Sequence, residues 1–205
     1  MAREDAVIVN ALVRQALIAA QEVMGENGLN TVLRTSGLER YIDHFPPDNL
    51  EPAIQTSDYA RLNEVIESFY GRGGRGMLRR IGRASFQYAV REQATLLGIA
   101  GVALKVLPAR QRMKFILNGM VDALKKSNPQ VDAWIDEEGG SLAYCDATCA
   151  ICHNRRSTEP ICYLYLGSIG EAIKWATGQE YEIKETHCTA MGDPYCRFEV
   201  GEPLG

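Results

Sequence analysis

Apolar residues recur at helical spacing through residues 6–24, where Val9, Leu12, Val13, Ala16, Leu17, Ala20 and Val23 line one face. Gly25 is a natural stop, and a short helix over residues 29–35 follows it. Residues 41–52, with three prolines and the pair Asp48-Asn49, predict a loop. Ser57 and Asp58 can cap a helix that reaches about residue 70 through Leu62, Val65, Ile66 and Phe69. After a glycine-rich break a helix spans roughly residues 77–90. Two more cover 95–106 and 109–126, parted at Pro108.

The period then changes from helix to strand. Residues 131–136 and 141–146 read as strands around the Glu-Glu-Gly-Gly turn at 137–140. Pro160 suits the first position of a helix running through Trp175, with Gly178 just beyond its end. Residues 181–186 alternate as a strand, residues 191–194 turn, and residues 195–200 return. The expected fold class is α+β: N-terminal helices, then a small antiparallel sheet with a crossing helix. The expected division is a single domain over residues 1–205. It comprises a helical extension to residue 56, a helical part over 57–130, and the sheet with its crossing helix over 131–202.

Composition changes this picture in a few places. At 205 residues and 46% hydrophobic, the chain can bury a real core. A net charge of -4 argues against a general nucleic-acid binder. The first residues carry acids and lack the basic start and small-residue cleavage site of a secretory signal. The longest nearly uncharged apolar stretch, 94–107, is too short to span a bilayer and is interrupted by Lys105. A cytoplasmic protein without membrane insertion is the expectation. All six cysteines fall between Cys145 and Cys196, and in a reducing compartment such clusters more often bind metal or do redox chemistry than form disulfides.

Four of these positions suggest a zinc site: Cys162, Glu185, Cys188 and Cys196. Cys188 and Cys196 flank the 191–194 turn and should face each other on adjacent strands. Glu185 precedes Cys188 by three residues, so the strand must bend or bulge near His187 for both to share a face. Cys162, third in the helix begun by Pro160, sits where the helix dipole favours a thiolate. The same cysteines also read as small buried hydrophobes, and spacing leaves the two readings level.

The run from Ile161 to Val200 resembles the 4-vinyl reductase (4VR) domain, through Cys at the helix start, Glu-x-x-Cys, and Ala-Met-Gly-Asp-Pro-x-Cys-x-Phe. The stretches GENGLNTVLRTSGLERYIDHFPPDNL and YGRGGRG extend the likeness over most of the chain. This resemblance implies a fold shared with TRAPP small subunits and with the sensor region of phenol-responsive activators. It also implies a structural zinc held by Cys162, Glu185, Cys188 and Cys196 beside an apolar cavity.

Cys145, Cys149 and Cys152 form a second group, CDATCAICH. CAICH matches a c-type haem attachment motif, and Cys-x3-Cys-x2-Cys matches an iron–sulfur spacing. Neither has its context here, and the preferred reading is a cysteine-rich loop near the zinc. Candidate pocket residues are Phe86, Tyr165, Leu166, Ile169 and Ile183, one helical or strand period from the zinc ligands. An ordinary packed core fits the same stripe. The YGRGGRGMLRRIGR segment is not a P-loop, having no preceding strand and no Lys-Ser/Thr. Its Arg72, Arg79 and Arg83 could contact a ligand carboxylate or an acidic partner surface.

Two functions from different classes follow. One is a zinc-stabilised domain that binds a small hydrophobic or aromatic, hydrocarbon-like ligand in a sensing or carrier role. The other is a tetrapyrrole 4-vinyl reductase or accessory protein of bacteriochlorophyll synthesis, with a tetrapyrrole as ligand. No dinucleotide fingerprint or catalytic set is visible, so no catalytic residue is assigned. A homodimeric interaction subunit is a further expectation.

Overall fold

The computed structural model describes residues 4–92 and 106–205. The first regular element is a short strand, β1 (Val7–Val9), where a continuous helix was expected. It pairs antiparallel with β2 (Pro52–Gln55), and Thr56 N–H adds a bond to Ala6 O at 2.8 Å. Helical periodicity cannot register this pairing, because strand partners lie far apart in sequence and each strand is only three or four residues long.

Helix α1 (Asn10–Ser36) follows and breaks at Gly25, whose φ of 74° and ψ of 163° are non-helical. The expected stop and the expected second helix are therefore the two halves of one bent element. Helix α2 (Thr56–Phe69) begins with a capping box, Gln55 and Asp58 each bonding the other's backbone N–H. Asp5 reinforces this end by accepting from Ser57 N–H at 3.0 Å. Helix α3 (Gly74–Glu92) and helix α4 (Ala109–Ser127) match their expected positions. The helix expected over 95–106 lies almost wholly outside the described residues.

Strands β3 (Ala133–Asp136) and β4 (Leu142–Asp146) form a hairpin whose turn uses the positive φ of Gly139 and Gly140. Helix α5 (Tyr163–Thr177) ends at Gly178 in the left-handed conformation. Strands β5 (Tyr181–His187) and β6 (Cys196–Pro203) complete an antiparallel sheet in the order β3-β4-β6-β5. The protein is thus α+β, with α5 packed between the helices and the sheet.

The core forms one cluster from Ile8 to Phe198, so α1 contributes Val13, Leu17 and Leu29 to the interior that also holds Ile169 and Ile173 of α5. Tyr144, Tyr165 and Phe198 join α5 to β4 and β6 by edge-to-face contacts, with centroids 5.5–5.6 Å from the Tyr165 ring. Helices α3 and α5 cross closely at Gly82 and Gly167. A Cβ on Gly82 would lie 2.0 Å from Leu164 O, and one on Gly167 would lie 2.0 Å from Arg79 O. Ser168 Oγ donates to Gly82 O at 3.0 Å, locking the crossing. That tight crossing fixes where α5, and so Cys162, meets the sheet.

Candidate metal centre and adjoining cavity

Strand β5 delivers the first donor. Glu185 faces Phe198 while His187 faces Arg197, so two steps on β5 match one on β6. This bulge is the bend that lets Glu185 and Cys188 share a side. Gly192, at φ 102°, closes the turn that brings Cys196 back, and Asp193 accepts from Cys188 N–H at 2.8 Å. Cys162 is the N-cap of α5, not a residue inside it. Its N–H donates to Glu185 Oε2 at 2.9 Å, which ties the chain to β5 and holds residues 160–162 out of the helix.

The structure brings Cys162, Glu185, Cys188 and Cys196 together, with one donor atom of each within 4.8 Å of the others and all four residues buried. Cys162 Sγ lies 4.0 Å from Cys188 Sγ and 3.9 Å from Cys196 Sγ.

The second cysteine group does not stand apart. Past β4, Asp146 accepts from Thr148 N–H and Oγ–H at 2.8 Å each, curling the chain. Asn154, at φ 55°, and a bond from Arg155 N–H to Cys152 O close the loop. Its two buried sulfurs reach the same centre: Cys149 Sγ is 3.6 Å from Cys162 Sγ, and Cys152 Sγ is 3.4 Å from Cys196 Sγ. Cys149, Cys152, Cys162 and Cys196 form a second quartet within the same 4.8 Å limit. Cys145 belongs to neither; it sits mid-strand opposite Trp134, and burial pushes its thiol up to about 11.

The donor set fits a thiophilic metal ion. Tetrahedral zinc with Zn–S near 2.3 Å places its sulfurs about 3.8 Å apart, and the sulfur–sulfur separations here run from 3.4 to 4.0 Å. Glu185 Oε1 is buried with no protein partner, so one acceptor is left for an ion. Protonation agrees. Burial, with the neighbouring Cys188 adding to it, pushes Glu185 up to about 9, and burial pushes Cys149 up to about 12. A divalent cation reverses this by favouring every ionised donor at once.

A cavity of about 450 Å³ adjoins the centre. Its apolar wall includes Leu12 and Ala16 of α1, Phe86 of α3, Met120 of α4, Ile151 of the cysteine loop, and Tyr165 of α5. The loop therefore presents Cys149 and Cys152 to the metal centre and Ala150, Ile151 and His153 to the cavity. Of the expected pocket residues, Phe86 and Tyr165 line this space. Leu166 and Ile169 are buried in the core, and Ile183 packs against that core from β5; none of the three is on the cavity wall. A helix shows only part of its apolar face to any one neighbour, so adjacent apolar residues meet different partners.

Periodicity did not point to Gln15 or Ser85. Both line the cavity, and Gln15 Nε2 and Ser85 Oγ are buried without a protein partner. The arginines lie elsewhere. Arg79 sits over the Tyr163 ring, Arg83 pairs with Glu180 at 3.3 Å, and Arg72 lines a surface hollow with Glu64 and Glu67. None of them lines the cavity.

Asp146, also on the cavity wall, is raised by burial to about 6 from 3.8. The folded state then holds this proton more tightly than the unfolded chain. Its stabilising contribution is complete below pH 3.8 and disappears as pH climbs through about 6. The span corresponds to about 3 kcal/mol at ~1.4 kcal/mol per pK unit. Asp146→Asn, whose side chain stays neutral, should gain stability relative to the native chain between pH 4 and 7. Paired denaturant melts across that range check it; a constant difference at all pH values would contradict the assignment.

The C-terminal part of the chain, residues 145–202, matches the 4-vinyl reductase (4VR) domain family. A 49-residue segment is 45% identical to an uncharacterised protein of Methanocaldococcus jannaschii, covering 23% of this chain and 22% of that protein. A 48-residue segment is 40% identical to the phenol regulator MopR of Acinetobacter guillouiae, covering 23% of this chain and 8% of that one. Both matches thus span less than a quarter of the relative's length. In fold, the chain resembles an H-NOX family structure concerned with haem distortion, with TM-score 0.63, 14% identity and 97% of each chain covered. Among the described residues no helix is long and apolar enough to cross a membrane.

Proposed function

We propose, from a chain whose residues 145–202 match the 4-vinyl reductase (4VR) domain, that this protein is a zinc-stabilised sensing or carrier domain for a small aromatic ligand. The observation that carries this reading is the shared loop: residues 146–153 wall a largely apolar cavity of about 450 Å³ and place two cysteines at the metal centre. Zinc at Cys162, Glu185, Cys188 and Cys196 has a structural role, since four protein donors leave no open position for substrate. It anchors α5 to the β5–β6 hairpin and keeps the cavity wall in register.

The cavity chemistry supports an aromatic occupant with one polar atom. Apolar side chains supply most of the contact, and Gln15 Nε2 and Ser85 Oγ–H offer unpaired donors to a hydroxyl or carbonyl oxygen. The likeness of one segment to a phenol regulator agrees with that class.

The test is calorimetric titration with phenol, using benzene to measure the contribution of the hydroxyl. Phenol should bind more tightly than benzene, and Gln15→Leu should narrow the gap. Ala16→Phe, which places a ring inside the cavity, should weaken phenol binding at least tenfold without lowering the melting temperature. Equal binding by the native chain and Ala16→Phe would rule the cavity out as the site.

Haem calls for the same titration, because the fold resembles an H-NOX haem protein and His153 lies on the cavity wall. His153 Nε2 is 3.0 Å from Asn154 Nδ2 and 3.6 Å from Asp5 Oδ1. A haemin absorbance band that disappears in His153→Ala would replace the phenol reading with a haem one.

A further inference from the structure

The two donor quartets share two members, Cys162 and Cys196, and both are thiolates. We infer that the centre holds two divalent, thiophilic metal ions bridged by these two sulfurs, the first bound by Cys162, Cys196, Glu185 and Cys188 and the second by Cys162, Cys196, Cys149 and Cys152. The first ion is the one assigned under Proposed function, and the inference rests on that reading. The second is new to it.

Donor arithmetic favours the pair. Two tetrahedra that share an edge need six donors, two of them able to bridge, and the six residues of the two quartets meet that requirement. Thiolate sulfur has lone pairs enough to bind two cations. The bridging edge is the Cys162–Cys196 separation of 3.9 Å, against about 3.8 Å for an edge of a zinc–thiolate tetrahedron.

Each ion also has its own chelating pair. Cys149 and Cys152 are spaced Cys-x2-Cys, and Glu185 and Cys188 are spaced Glu-x2-Cys. Such spacing lets one turn of backbone present both donors to one ion. The pairs come from separate segments, the loop after β4 and the end of β5, and both close on the shared sulfurs. The loop pair fits tightly on its own side, with Cys149 3.6 Å from Cys162 and Cys152 3.4 Å from Cys196.

The shared sulfurs have support outside the quartets. Thr189 N–H points at Cys196 Sγ at 3.4 Å, and Cys162 sits at the N-terminus of α5, where the helix dipole offsets negative charge. Charge balance is workable: five thiolates and one carboxylate against two dications leave −2, whereas all six ionised around one dication would leave −4. With one ion, Cys149 and Cys152 must stay protonated to avoid that burial penalty. Loading the second ion releases their two protons.

The test is native mass spectrometry of the full chain titrated with zinc, with elemental analysis of the same samples. The native protein should saturate at two zinc ions per chain. The double variant C149S/C152S should lose one and keep one, and E185Q/C188S should do likewise. Cadmium-113 loading gives a second readout on folded native protein alone: two resonances of sulfur-rich shift, each sensitive to the other's occupancy. Saturation at one zinc that survives C149S/C152S would overturn the second ion and leave the proposed zinc site standing. Saturation at one zinc that is lost in C149S/C152S but kept in E185Q/C188S would overturn the pair and move the single ion to the four-cysteine quartet. Failure of the native chain to bind any zinc would sink both readings.

Discussion

Cys162→Ser should strip the metal from the protein and abolish its cooperative unfolding transition at room temperature. Cys162 is common to both donor quartets, and its sulfur lies 3.6–4.0 Å from Cys149, Cys196 and Cys188. Serine keeps the size and the backbone bond to Glu185, but its hydroxyl is a poor ligand. Structural zinc contributes an apparent ~10–16 kcal/mol in small metal-folded peptides. A whole domain has only about 5–15 kcal/mol of net stability, so the metal term is as large as the total. Without it, the centre is left with a buried carboxyl whose Oε1 has no protein partner. Circular dichroism melts paired with zinc analysis would show the result, and a strong chelator should reproduce it in the native chain. A variant that lost its zinc and still melted within a few degrees of native would mean the cysteines serve only as buried packing.

The second large effect is purely steric. Gly167→Ala should destabilise the protein by at least ~3 kcal/mol, the upper end of ordinary overpacking. Its Cβ would stand 2.0 Å from Arg79 O, and Arg79 is followed three residues on by Gly82, whose own Cβ would meet Leu164 O at the same distance. Each contact falls on backbone, which cannot rotate away as a side chain can. Relief requires α3 and α5 to separate, which would break the Ser168–Gly82 bond and shift Cys162 at the start of α5. Gly76→Ala on the same α3 helix is the control. Nothing lies within 4 Å of its Cβ, so it should gain ~0.5–1 kcal/mol from the helix preference of alanine. Denaturant midpoints for the two variants decide the matter, and similar values would mean the helices adjust at little cost.

These two effects mark different degrees of legibility. The zinc quartet was visible because residue chemistry and hairpin symmetry lie close in sequence: Glu185, Cys188 and Cys196 span one strand, one turn and the next strand. Even the bulge near His187 followed from requiring both donors on one side of a strand. The Gly82–Gly167 crossing was not visible. Two small residues 85 positions apart carry no mark of mutual contact until the helices are placed.

Cavity residues show the same division. Phe86 and Tyr165 belong to apolar stripes, and a stripe states which face is buried but not against what. Leu166 and Ile169 share Tyr165's helix yet meet the core, because α5 is enclosed on several sides. Gln15 and Ser85 matter only because their unpaired atoms open onto the same space, which is a property of three-dimensional enclosure.

By itself, the sequence determined the order of helices and strands from residue 56 onward, the break at Gly25, the caps at Asp58 and Gly178, and the chemical type of the metal donors. All of these depend on interactions within a few residues, where period, capping and turn chemistry act directly. Only the tertiary structure decided the β1–β2 pairing, the close approach of α3 to α5, the cavity wall, and the convergence of Cys149 and Cys152 on Cys162 and Cys196. Those depend on segments brought together by burial of the shared core, and the free energy that selects them is collective rather than local.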